Sequence, residues 1–372
     1  MRAVKPPPNL PDLVKSTFAK ARADGELHYF PTQATLLPVG PVNVPDLPLF
    51  FSVFDQFMAF QLRFSPTLAN KPKSQPPPPP PSSSTASHPP KPVDPFAHPS
   101  ASLYISALGP SHFLVLNKFA VVPEHFILAT TAFEEQTHLL AASDLDATLS
   151  CIQAYEQQQA GGGGLFAFFN SGHHSGASQP HRHIQLLPVS CMKDNLDPTG
   201  DDDGSGWDVL IDQAGFERAL PFVVFKEQIS LDMSAAELHG AYMRLYRQAC
   251  RAVDHSDHVS SPTRTDDDDD GDDDDHDGGR GGEGGAGPPH DGPAARLSYN
   301  MAMTKTTLAL CPRLAEGAPI HDGQGKCVGA LALNGTVLAG TALVKNEAEW
   351  EALRRDPTSV RDVLRRIGVP RT

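Results

Sequence analysis

Residues 164–170, GLFAFFN, and 181–189, HRHIQLLPV, are two short apolar runs joined by a loop of small and polar residues, SGHHSGASQP. Their length and aromatic and branched content predict two buried strands. Successive side chains of a strand point to opposite faces. His181, His183 and Gln185 therefore share one face, and Arg182, Ile184 and Leu186 share the other. Ser171, Gly172, Ser175, Gly176 and Ser178 carry little side chain, so the loop backbone is open to close approach. Its N–H groups can close around phosphate oxygens as a backbone nest does.

A histidine facing a bound phosphate has a chemical use. Neutral imidazole is a nucleophile at pH 7 and forms a phosphoramidate, from which the group can be passed on. His-x-His on a strand is also a metal-ligand pair, here with His173 and His174 nearby, and a zinc or iron site is the competing reading. A structural pair of histidines is a third. The spacing to Gln185 and the preceding loop favour the phosphate reading over both.

Two tracts interrupt the globular pattern. Residues 74–92 contain six consecutive prolines, Pro76 to Pro81, and a serine cluster; residues 256–293 contain ten aspartates between Asp266 and Asp277 and a glycine-rich run. Neither can offset its conformational entropy by burial, so both are expected to be disordered insertions. The net charge of −14 is concentrated in the second tract. It says little about the folded part and argues against nucleic-acid binding through a general field. No apolar run reaches the ~18–20 residues of a membrane span, and the N-terminus has no apolar segment of a secretory signal. Five scattered cysteines without a Cys-x-x-Cys pair fit reduced thiols in a cytosolic or nuclear compartment.

The remaining pattern is mixed. Residues 112–122 read as strand with a polar interruption. A helix is predicted from a Ser143 cap, with Leu145, Leu149 and Ile152 on one face. Residues 219–229 read as a strand. A second helix opens with a capping box, Ser234 to Glu237, and carries a stripe of Leu238, Tyr242, Leu245, Tyr246 and Ala249. Residues 298–313 and 328–345 are strand-like, and two helices close the chain, one from an Asn346 cap and one stopped by Gly368 and Pro370. Strands and helices do not alternate regularly, which predicts an α+β fold with antiparallel sheet.

The stretch NSG…GASQPHRHIQLLPV resembles the signature of fungal diadenosine tetraphosphate phosphorylase, or ATP adenylyltransferase, in the histidine-triad-like superfamily with galactose-1-phosphate uridylyltransferase. HFLVLNKFAVVPEHFILAT, FQLRFSPTLANKP, the DPF at Asp94 to Phe96, SYNMAMTKTTLALCPR and LNGTVLAGTALVKNEAE are similar to further blocks of that family, in the same order. The resemblance implies a histidine-triad-like antiparallel sheet with flanking helices. It implies an N-terminal catalytic block (1–73 and 93–196) and a C-terminal block (207–255 and 294–372) forming one catalytic unit. It implies that His183 is the nucleophile, that it holds AMP, and that inorganic phosphate removes it as ADP; the reverse direction joins ATP and ADP. Gln185 would bond the transferred group and, unable to shuttle a proton, would activate water poorly. Asn170, Gly176, Ala177, Ser178 and Gln179 would cradle phosphate, and Asn117, Lys118 and Lys71 would meet the polyphosphate. Ser298, Tyr299, Asn300, Met303 and Lys305 would contact the nucleotide or distal phosphates. Magnesium would ride on the substrate, with no protein metal cage. The protein would be a monomer. A uridylyltransferase acting on sugar phosphates and a non-catalytic nucleotide-binding scaffold are the alternatives.

Overall fold

The computed structural model describes residues 4–39, 58–67, 94–158, 164–196, 207–260 and 292–371. In chain order its elements are α1 (Leu10–Ala23), β1 (His28–Tyr29), β2 (Gln33–Val39), β3 (Met58–Phe64), β4 (Tyr104–Leu108), β5 (His112–Leu116), β6 (Phe119–Ala120), β7 (Phe126–Thr130), α2 (Ala142–Gln158), β8 (Leu165–Ser171) and β9 (His183–Pro188). There follow α3 (Val189–Met192), α4 (Phe216–Ala219), β10 (Phe225–Gln228), α5 (Ala235–Ser260), β11 (Tyr299–Met303), β12 (Thr307–Pro312), β13 (Gly317–His321), β14 (Cys327–Ala332), β15 (Thr341–Val344), α6 (Glu347–Arg355) and α7 (Thr358–Ile367).

The α+β class holds. One eight-stranded sheet, ordered β10-β12-β11-β8-β9-β7-β5-β4, is antiparallel throughout. Strands of both sequence blocks meet in it, since β8 pairs with β11 in the register Asn170↔Asn300. Both faces of the sheet are covered, which explains the unbroken apolar run of β8. Ala167 and Phe169 join one core with Leu145, Leu149 and Leu245 of the helices. Phe166 and Phe168 face the other core with Trp207, Val337 and Leu353. β9 alternates likewise: Ile184 and Leu186 enter the first core and Leu187 the second.

The capping box of α5 forms, with Glu237 N donating to Ser234 Oγ and Ser234 N to Glu237 Oε2 at 2.8 Å. Its aromatic stripe is tied to the sheet through the Tyr242 and Tyr299 hydroxyls, 2.6 Å apart, and Leu140 N donates to the Tyr242 hydroxyl. Tyr242→Phe leaves a buried hydroxyl and a buried N–H short of a partner. It should lower unfolding free energy by about 1–3 kcal/mol in a denaturant titration.

Several sequence-based expectations are corrected. Residues 219–229 are not one strand: Phe222 and Val223 pair with the C-terminal segment at Pro370 and Val369, and only Phe225–Gln228 joins the sheet. The 298–313 run is a hairpin, because Thr304 Oγ1 accepts from the N–H groups of Thr306 and Thr307 and turns the chain. The 328–345 run breaks at Asn334, whose side chain caps a 3-10 turn over Gly335–Ala339. Helix α2 starts at Ala142, one residue before the expected cap, and the carboxylate at its start is Asp144, which accepts from Ala141 N. Helix α5 runs on to Ser260, past the expected boundary at 255. The proline tract and most of the aspartate tract lie outside the described residues. Helix α1, unread in the sequence, buries Leu10, Val14, Phe18 and Ala21 along one face. The Asn346 cap of α6 forms as read, and α7 ends at Ile367, before Gly368, as read.

Candidate active site

His183 opens β9, opposite Ala129 of β7. Its Nδ1 lies 2.8 Å from the His181 carbonyl oxygen. Only a donor fits against a carbonyl, so the proton sits on Nδ1 and Nε2 carries the lone pair. Nε2 takes no protein partner among the described residues. Burial pushes the His183 pKa down to about 4; the carbonyl bond opposes the fall and the neighbouring His181 adds to it. The ring is therefore neutral at pH 7, with a lone pair on Nε2.

The motif strand is pinned on both faces. His181 Nδ1 meets Asp94 Oδ2 at 2.7 Å and Nε2 meets the Thr130 carbonyl at 2.8 Å. Both ring nitrogens are thus engaged, and His181 offers none to a metal beside His183. Phe96, two residues after Asp94, tilts its ring against His183 at 5.1 Å. On the opposite face Arg182 bonds Glu134 and Asp144, and Asp144 also takes His112 Nε2 at 2.7 Å.

Gln185 bonds His125, whose pKa burial pushes down to about 3. Asn117 Nδ2 lies 3.2 Å from His125 Nδ1 and donates to it. The same Asn117 amide also lies 3.5 Å from His125 Nε2. His125 thus stands between Asn117 and Gln185.

At the end of β8, Asn170 Oδ1 accepts from Asn300 Nδ2 and from Gly335 N, each at 2.9 Å. Asn300 Nδ2 also donates to the Ser175 carbonyl, and Asn300 Oδ1 accepts from Arg313. Ser298 Oγ accepts from His174 N. The loop is held tightly: a Cβ on Gly172 (φ +87°) would stand 2.4 Å from Ser298 Oγ, and one on Gly176 (φ +79°) 2.8 Å from Asn334 Cβ. Beyond Gly176 the loop presents Ala177 and Ser178 to solvent, with Gln179 half-buried. Lys118 is exposed beside Asn117.

The structure thus gathers His183, Gln185, Asn117, Asn170, Asn300, Ser298 and the 176–179 loop around one corner of the sheet. It does not bring Tyr299, Met303 and Lys305 there. Tyr299 is wholly buried against Tyr242. Met303 is buried opposite Ala167, three residues, or roughly 10 Å, down the strand from Asn300. Lys305 sits on the β11–β12 turn, paired with Glu156 at 3.0 Å. Ser298 and Asn300 hold the loop from behind. Lys71 lies outside the described residues.

A cavity of about 220 Å³ opens beside Gln185, His125 and Gly176, and its lining also includes Asn334, Thr336, Thr341 and Lys345. These four were not singled out in the sequence. A signal exists: Asn-Gly inside the apolar run LALNGTVLAG marks a turn, and a turn there turns backbone and polar side chains toward β8. A larger groove, about 1190 Å³ and lined by Asp212, Arg218, Lys226 and Arg371 among others, contains none of the motif residues.

A neutral buried imidazole beside a small-residue loop, and a cleft with a lysine on its wall, lie where the two blocks meet, and comparison with known proteins makes the class a nucleotidyltransferase. Residues 50–198 match the Ap4A phosphorylase N-terminal domain and residues 218–370 match the ATP adenylyltransferase C-terminal domain. The chain carries both domains and belongs to the Ap4A phosphorylase/ATP adenylyltransferase family. It is 26% identical over 332 residues to diadenosine 5',5'''-P1,P4-tetraphosphate phosphorylase 2 of Saccharomyces cerevisiae, covering 84% of each chain. It is 22% identical to Protein APA1 of the same yeast, covering 98% of this chain and 96% of that one. The fold matches the crystal structure of yeast Ap4A phosphorylase Apa2 with a TM-score of 0.62 at 22% identity, over 98% of both chains. It also matches the Apa2 complex with Ap4A, with a TM-score of 0.61 at 23% identity over 98% of both chains.

Proposed function

We propose that this protein phosphorolyses diadenosine tetraphosphate to ATP and ADP, reversibly, through an adenylyl group carried on His183. The observation that supports the reading is the His183 Nδ1 bond to the His181 carbonyl, which leaves Nε2 unprotonated with its lone pair free. Nε2 attacks the α-phosphorus of the dinucleotide. The bond to the bridging oxygen breaks and ATP leaves with that electron pair. The imidazole, now bonded at Nε2 and still carrying its Nδ1 proton, is stabilised by the His181 carbonyl. Inorganic phosphate then attacks the same phosphorus, the P–N bond breaks back to the ring, and ADP leaves. Every atom is accounted for, and no proton transfer by Gln185 is needed.

The Asn170 and Gln185 amides and the loop N–H groups bind the non-bridging oxygens, and Lys345 and Lys118 meet the polyphosphate charge. Magnesium enters with the polyphosphate rather than from a protein cage. Gln185 disfavours hydrolysis because a carboxamide cannot take a proton from water.

Product analysis with and without phosphate tests the reaction. Phosphate-dependent release of ADP and ATP supports phosphorolysis; equal release of AMP and ATP without phosphate would show hydrolysis instead. Preference for UDP-sugars in competition would favour a uridylyltransferase.

The low pKa of His183 also fixes a pH profile. An imidazole at its ordinary value of ~6.5 is about tenfold depleted in its neutral form at pH 5.5. His183, held near 4, stays neutral there. Single-turnover adenylyl transfer should therefore be level from pH 8 to about 5.5 and fall only as the pH approaches 4. Folding stability runs the same way: the unfolded chain takes up protons on these imidazoles below its value of ~6.5, so stability falls from there toward pH 4.

A further inference from the structure

Beyond Phe168↔Gln185 the β8–β9 ladder stops. Continued in register, it would set Asn170 against His183. Each strand keeps its other neighbour there: Asn170 remains paired with Asn300 of β11, and His183 with Ala129 of β7. Only the seam between them opens, and the side chain of Gln136 fills it. Its Oε1 accepts from His183 N at 2.7 Å. Its Nε2 donates to the Asn170 carbonyl at 2.8 Å and lies 3.2 Å from the His183 carbonyl. Gln136 is 2% exposed, and its own N–H donates to the Pro180 carbonyl at 2.7 Å. A carboxamide has the donor and acceptor of a peptide unit, so here a side chain stands in for one rung of the sheet.

We infer that Gln136 is a positioning residue that wedges the nucleophile strand and the phosphate-loop strand apart by one inserted amide and sets the distance from His183 to the bound α-phosphate. The inference rests on the proposed adenylyl transfer. Without the wedge, His183 and Asn170 would pair directly, and the strand bearing the nucleophile would close on the mouth of the loop. The loop keeps its independent anchors at Ser298, Asn300 and Asn334. Binding should therefore survive where transfer does not, and a misplacement of about 1 Å can cost about a hundredfold in rate.

Gln136→Glu separates this from a merely structural role. The carboxylate still accepts from His183 N but cannot donate to the Asn170 carbonyl; once protonated it can do both. Burial against two carbonyls raises the pKa of such an acid, so protonation falls in the range where His183 remains neutral. The other ionisable side chains on the strand and loops meeting here are His181, Arg182, Glu134, Glu135, His138, His173 and His174, with Asp94 bonded to His181, and wild-type rates at each pH correct for them. The experiment measures label transfer from diadenosine tetraphosphate labelled at the α-phosphates, in single turnover, for wild type, Gln136→Glu and Gln136→Met. Equilibrium binding of AMP and thermal melting are measured alongside. The expected result is folded variants with wild-type AMP affinity, a loss of about a hundredfold at pH 8, and recovery at pH 5.5 of Gln136→Glu alone. A wild-type rate in Gln136→Met would overturn the inference. So would a Gln136→Glu deficit equal at both pH values, AMP affinity lost in step with rate, or both variants failing to fold. Absence of label on the wild type would instead reject adenylyl transfer itself.

Discussion

His183→Ala should reduce phosphorolysis of diadenosine tetraphosphate by at least about 10⁴-fold while leaving the fold in place. The size follows from removing the nucleophile of a covalent route, after which only binding and charge stabilisation remain. The fold should tolerate the change because the strand is fixed by other groups. His183 N is held by Gln136, and the flanking residues are held by Asp94, Thr130 and Glu134. Steady-state product formation, with melting as the control, measures it. A residual rate within tenfold of wild type would mean that phosphate attacks the dinucleotide directly.

Lys345→Ala should lower kcat/KM by roughly 30- to 100-fold, the weight of one charge-assisted contact in a partly enclosed site. Lys345 is exposed and lines the cavity together with Gln185 and Gly176. Among the described residues no carboxylate is paired with its ammonium group. Its backbone N–H caps onto Glu349, which the substitution preserves, so stability should change little. Lys305→Ala is the matched control. That lysine is on the remote turn with Glu156, and its loss should leave kcat/KM within about twofold. Kinetics of the two variants over a range of dinucleotide concentrations separate them. Equal losses would place the polyphosphate elsewhere.

The contrast between these lysines shows where the sequence was readable. Strand period 2 gave the shared face of His183 and Gln185, because alternation is a local property of the backbone. The small-residue loop was legible for the same reason. The rest of the cavity lining was not, because it is set by which strands meet. Tyr299 and Met303 lie on a strand that touches the motif strand's neighbour, and only the family resemblance pointed to them. Which end of that strand reaches the loop depends on the Asn170↔Asn300 register, a long-range fact with no local signature. Asn334, Thr341 and Lys345 arrive only because Gly335 packs against Phe168 and Asn170, where a Cβ would stand 2.7 and 2.9 Å from their atoms. Gln136 was unread because nothing local distinguishes a glutamine that replaces a backbone rung from one in solvent. Helix α1 was hidden by the prolines before it, although Pro is at home in the first helical turn.

The central claim is a transient bond between His183 and a nucleotide's phosphorus. Intact protein incubated with diadenosine tetraphosphate labelled at the α-phosphates, without inorganic phosphate, should acquire label that survives alkali and is released by acid. Digestion should locate it on the segment containing His183, and added phosphate should discharge it as labelled ADP. Label that never joins the protein, joins another residue, or stays when phosphate is added would contradict the account.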